Sequence, residues 1–159
     1  MKGKKCKKMV GKMVVIAAVL MMGMGLQTAH AGDLFTSAVY AVYSGASQGY
    51  AEYYAALGFY YDTPYYSYDA WLYMEDALWY SGEAYYYAGF VGGDWAYYAW
   101  LYADEAYWYF YDAEYYAYLA YIYGDYYNSA LSVVYGGLGA ASIAYAEAYA
   151  GIGCYGGYY

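Results

Sequence analysis

Beyond residue 31 the chain contains no lysine, no arginine and no histidine, and only one cysteine, Cys154. Without a cationic side chain nothing can neutralise phosphates, which excludes nucleic acid as a partner. An anionic membrane surface would repel such a chain as well. Histidine-based triads, histidine-containing metal sites and the Glu-x-x-His di-iron pattern of helical bundles are excluded together. One cysteine cannot close an internal disulfide; it stays a thiol or pairs with another chain.

The missing bases all lie at the start. Lys2, Lys4, Lys5, Lys7, Lys8 and Lys12 precede an apolar run, Met13 to Leu26 (MVVIAAVLMMGMGL), and Ala29-His30-Ala31 offers an A-x-A cleavage pattern. The run is short for a bilayer span, so the three parts predict a secretory signal over residues 1–31, with an uncleaved anchor as the alternative. Cys6 lies before the apolar run and so is not a lipoprotein cleavage cysteine. Removing the signal leaves residues 32–159 with all 14 acidic residues and no base, hence a formal charge of −14 in place of the precursor's −8. The expected location is periplasm, cell surface or medium. The partners such a charge admits are a divalent cation, a basic protein, a neutral glycan or another copy of the chain.

What is there is repeated. Asp33, Asp62, Asp94 and Asp125 are spaced 29, 32 and 31 apart, and Gly32, Gly93 and Gly124 precede three of them. Glycine ends a helix and aspartate caps the next by accepting its free N–H groups; Pro64, after Asp62, suits a first helical turn. Units of about 31 residues follow, over 33–61, 62–91, 94–123 and 125–150. Units two and three match best, Ala70-Trp71-Leu72-Tyr73 answering Ala99-Trp100-Leu101-Tyr102. The glycine-rich end, residues 151–159, lacks periodicity and is expected to form a flexible tail.

Small residues set the period within each unit. In unit three Ala99, Ala103, Ala106, Phe110, Ala113, Ala117 and Ala120 follow a heptad, as do Ala70, Met74, Ala77, Ser81, Ala84 and Ala88 in unit two. Unit four offers Ala130, Val134, Gly137, Ala141, Ala144, Ala148 and Gly151; unit one offers Ala38, Val42, Gly45 and Gly49. Such seams predict helices that approach closely, here an all-α, up-down-up-down four-helix bundle, with an α-solenoid-like stack as the alternative.

Three constellations bear on chemistry. Asp76 and Glu83 in unit two, and Glu105 and Asp112 in unit three, each stand one place before a seam residue. If the two helices fold back at Gly92-Gly93, Glu83 meets Glu105 and Asp76 meets Asp112. Two such like-charged pairs would splay, share a proton or bind a hard cation such as Ca²⁺. Cys154, with Tyr155, Tyr158 and Tyr159 in the tail, suggests linkage between chains. The runs Leu34 to Ala51 and Tyr126 to Ala146 are uncharged but rich in Gly, Ser and Tyr, and the acids of the middle units argue against membrane insertion.

The 34 tyrosines and five tryptophans outnumber what one small bundle can bury. Outward rings point to self-association, oxidative coupling or flat ligand platforms. The reading is a secreted, non-enzymatic, self-assembling structural protein of a surface layer, filament, coat or matrix. A secreted binding module for divalent cations or neutral glycan and aromatic ligands is the alternative, and a membrane-associated assembly a lesser one. No catalytic residue and no cofactor is expected.

Overall fold

A computed structural model describes residues 29–61 and 64–155. Four helices follow one another: α1 (Ala29–Tyr61), α2 (Pro64–Ala88), α3 (Asp94–Tyr123) and α4 (Tyr126–Tyr155). Each packs against the next, α1 closes the ring against α4, and the diagonals scarcely touch. The result is an up-down-up-down four-helix bundle, and the closure of α1 on α4 sets aside the open stack. The signal-peptide reading falls almost wholly on residues outside those described; Ala29-His30-Ala31 form the first turn of α1.

The turn between α3 and α4 follows the expected glycine–aspartate rule. Gly124 adopts φ 63° and ψ 29° and donates its N–H to the Ala120 carbonyl, the left-handed geometry that glycine tolerates best. Asp125 then caps α4: its Oδ1 accepts the Asn128 N–H at 2.8 Å and its Oδ2 accepts the Asn128 side-chain amide at 2.7 Å. Elsewhere the rule gives way. Gly93, at φ 103°, holds the cap position before α3 without a side-chain bond, so Asp94 is instead the first helical residue; its charge there complements the helix dipole. Asp33 lies inside α1, which is described from Ala29 onward. Asp62 lies outside the described residues.

Unit two and unit three bury the seams read from their sequences, with Ala96 added in α3. The outer two helices do not. In α4 the buried residues are Ser132, Gly136, Gly139, Ser142, Ile143, Ala146 and Ala150, while Ala130, Val134, Gly137, Ala141, Ala144 and Ala148 face outward. In α1 the inward row is Leu34, Ser37, Ala38, Ala41, Ser44, Gln48, Ala51 and Ala55, not Val42, Gly45 and Gly49. Both helices carry small residues on two heptad rows, and steric fit to the neighbours decides which row turns inward.

That fit is specific. Among the described residues each helix buries one large hydrophobic side chain, Leu34, Met74, Phe110 and Ile143, among alanines. Each of the four lies against a glycine of another helix: Leu34, Phe110 and Ile143 against a neighbour's, Met74 across the diagonal against one of α4. A Cβ on Gly139 would lie 2.6 Å from the Phe110 ring, one on Gly136 3.0 Å from the Met74 methyl, one on Gly45 3.7 Å from Ile143, and one on Gly153 would collide with Leu34. Three of these sockets belong to α4. Gly153 near its C-terminus therefore packs, and the helix runs to Tyr155 where a loose tail was expected.

Polar groups inside are mostly paired. Ser37 donates to the Ala84 carbonyl and Ser44 to the Ala77 carbonyl, both at 2.7 Å, tying α1 to α2. The exception is the buried side-chain nitrogen of Gln48, which has no hydrogen-bond partner and points at the Gly136 socket.

Candidate functional site: the tyrosine-lined grooves

Because the seams face the bundle axis, the residue just before a seam position lies on one flank of its helix and the residue just after on the other. Antiparallel neighbours bring like flanks together. Around this ring the before-flanks meet in the α1/α2 and α3/α4 grooves, and the after-flanks meet in the α2/α3 and α4/α1 grooves.

The before-flank grooves are lined with tyrosine. Tyr40 stacks on Tyr87 with centroids 5.5 Å apart and planes at 11°, and Tyr54 on Tyr73 at 5.4 Å and 6°. The α3/α4 groove repeats the arrangement with Tyr102 on Tyr149 at 5.5 Å and 2°, and Tyr116 on Tyr135 at 5.5 Å and 10°. All eight stand immediately before a seam residue and all are half-buried. Burial pushes the Tyr40, Tyr54 and Tyr116 phenols above their ordinary range, and the stacked partners Tyr87, Tyr73 and Tyr135 add to the effect.

Tryptophan replaces tyrosine in the α2/α3 groove. Trp71 donates its indole N–H to Glu114 and packs on Tyr118 and Tyr121, while Trp100 meets Tyr85 at 5.3 Å. On the α4/α1 side, the residues that follow the inward row of α4 include Gly137, Ala140, Ala144 and Glu147. The one cross-groove ring contact of that groove among the described residues is Phe59 with Tyr126 at its end.

The four carboxylates expected to pair stand on the before-flanks of α2 and α3. Glu83 acts on the Tyr40 phenol of α1, whereas Glu105 accepts the Ser142 hydroxyl of α4 at 2.9 Å. Asp76 is exposed, and Asp112 acts on Tyr116 in the α3/α4 groove. Like flanks do meet, but the before-flanks of α2 and α3 turn to α1 and α4 and away from each other. Among the described residues no group of three or more His, Cys, Asp or Glu could hold a metal ion.

Cys154 stands in the last turn of α4, half-buried against the cluster of Leu34, Ala38, Ala88, Ala96, Ala99 and Ala150. Burial raises its thiol above the usual range, which disfavours the reactive thiolate. Tyr155 is exposed; Tyr158 and Tyr159 lie outside the described residues. Sequence reasoning missed the Trp71–Glu114 bond and the stacked tyrosines, although the signal was present: Trp71 and Glu114 both directly follow seam alanines.

The outside of the bundle is rich in rings. Trp79, Trp108, Tyr60 and Tyr127 are 56%, 58%, 78% and 74% exposed. Nine of the 14 acids lie on α2 and α3. The outer row of α4 from Ala130 to Ala148 carries no charge, and by length and composition α4 could cross a membrane, with a mean hydropathy of 1.3. No protein-family model matches this chain, and no match arises among curated proteins or solved structures.

Proposed function

We propose that this is an exported, non-enzymatic, tyrosine-rich structural protein that assembles with copies of itself into a layer, filament, coat or matrix. The observation that carries the reading is the exposed aromatic surface of a bundle already closed within one chain: Trp79, Trp108 and many tyrosines remain outside. Surfaces of this kind on soluble chains belong to association. The uniform negative charge supplies the control, keeping copies apart until salt, cations or acid screen it.

The contact face that best suits a second copy is the outer row of α4. It is apolar, small-residued and without charge, while the acids concentrate on the opposite α2/α3 side, so two copies meeting through α4 keep their charges far apart.

Sedimentation or light scattering of the purified chain, across concentration, ionic strength and divalent cation, tests this. Larger species are expected once charge is screened, and Ala141→Glu should return them to monomer. A monomer under every condition would end the reading. Partition of the wild-type chain into neutral lipid vesicles, in place of self-association, would reassign the α4 face to membrane.

A further inference from the structure

We propose that the tyrosine pairs stacked across the α1/α2 and α3/α4 grooves, foremost the four whose planes lie within 11° of parallel, are sites of oxidative coupling within the chain, stapling α1 to α2 and α3 to α4 when the protein meets a one-electron oxidant such as the oxidised haem of a peroxidase. The inference deepens the structural-protein reading, yet its chemistry does not depend on assembly, because both partners belong to one molecule.

The step balances as follows. Each phenol gives one electron to the oxidant and its proton to water, leaving a neutral radical whose spin is shared with the ring carbons beside the oxygen. Two such carbons form a carbon–carbon bond. The two ring hydrogens then pass through solvent to the oxygens as the rings regain aromaticity. In net terms two electrons and two protons leave per bond, and two oxidant equivalents are reduced.

Geometry selects the pairs. Rings held parallel at 5.4–5.5 Å need a small slide to bring ortho carbons together, and the fixed position raises their effective concentration far above that of a second chain. Sequence neighbours such as Tyr60 and Tyr61 come nearer, at 4.9 Å, but edge to face at 85°, which sets an edge of one ring on the face of the other. In the α2/α3 groove the cross-helix tyrosine contact, Tyr68 with Tyr121, is tilted at 55°. The pattern of bonds should therefore be two stapled hairpins with no staple between them.

The test is photo-oxidation of the dilute full chain with a ruthenium tris-bipyridine complex and persulfate. Cleavage by a Glu/Asp-specific protease follows, because there is no Lys or Arg beyond Lys12. Mass spectrometry of the monomer fraction should find peptides of α1 joined to α2 and of α3 joined to α4, each lighter by two hydrogens. The variant Tyr66→Phe, Tyr73→Phe, Tyr80→Phe, Tyr87→Phe, Tyr135→Phe, Tyr145→Phe, Tyr149→Phe removes one phenol from every cross-groove tyrosine contact of the two grooves, keeps the rings, and should lose these links and most dityrosine fluorescence while circular dichroism stays helical. If that variant does not fold, peptide mapping of the unaltered chain decides alone. Monomer without dityrosine, links that join α2 to α3 or sequence neighbours as often, or a folded Phe variant that couples equally well would each overturn the proposal. A chain that staples internally yet never associates would leave this inference standing and end the assembly reading.

Discussion

α3 carries small residues on one heptad row and tyrosine or tryptophan over most of the rest, whereas α4, equally long at 30 residues, carries small residues on two rows. In α3 the large core residue, Phe110, stands on the row of alanines. In α4 the inward row holds glycine sockets for side chains that other helices supply, and the outer row is left smooth. One helix donates volume and the other receives it. The difference teaches that a core built of alanine, too small to specify its own alignment, can be keyed by a few large residues set into glycines.

Phe110→Ala should break this arrangement most severely. The ring is fully buried, and emptying it leaves both a lost transfer term and a cavity above Gly139, a loss of about 3–5 kcal/mol. Thermal or urea denaturation of the monomer reads it directly. Next comes a contrast on α4 itself. Gly139→Ala sets a methyl 2.6 Å from the Phe110 ring and should destabilise by about 1–3 kcal/mol. Gly137→Ala, two residues away, has Glu52 Oε1 at 3.8 Å as its nearest neighbour and should stabilise by about 0.5–1 kcal/mol through helix propensity. If the two substitutions shift the melting temperature in the same direction, the two-row description of α4 is wrong.

The same contrast explains what the sequence made legible. A helix with one small row among large rings announces its inward face, so the seams of α2 and α3, the bundle and the α3/α4 turn could all be read from spacing. α1 and α4 have two rows each, and periodicity assigns equal merit to both. Only the partners' large side chains break the tie, and that information is non-local. The acidic flanks pose a related problem: like flanks meet, but which neighbour each flank faces depends on how the four helices close into a ring. The stacked tyrosines follow from the same rule once the ring is known.

Gln48→Met tests the inward row of α1. The amide nitrogen is buried without a partner beside the Gly136 socket, and an unpaired buried donor carries a penalty of about 1–3 kcal/mol. Methionine has nearly the same shape and no donor, so the variant should unfold at higher denaturant concentration than the parent. A loss of stability would mean that the amide is satisfied in solution.

The smallest expected effect concerns the α4/α1 groove, where Glu147 is the acid of α4. It follows the buried Ala146, and burial raises its carboxyl above the ordinary value. A folded-state pKa raised in this way means that the neutral form is the one folding favours. The contribution is fully present below the unfolded carboxyl's pKa and is lost as pH rises through the higher folded value. Glu147→Gln should therefore raise the melting temperature modestly at neutral pH, and the gap between variant and parent should close as pH falls through the carboxylate range. If Glu147→Gln instead lowers stability at neutral pH, the carboxylate has a partner in that groove, and the smooth face of α4 is less bare than its row of alanines implies.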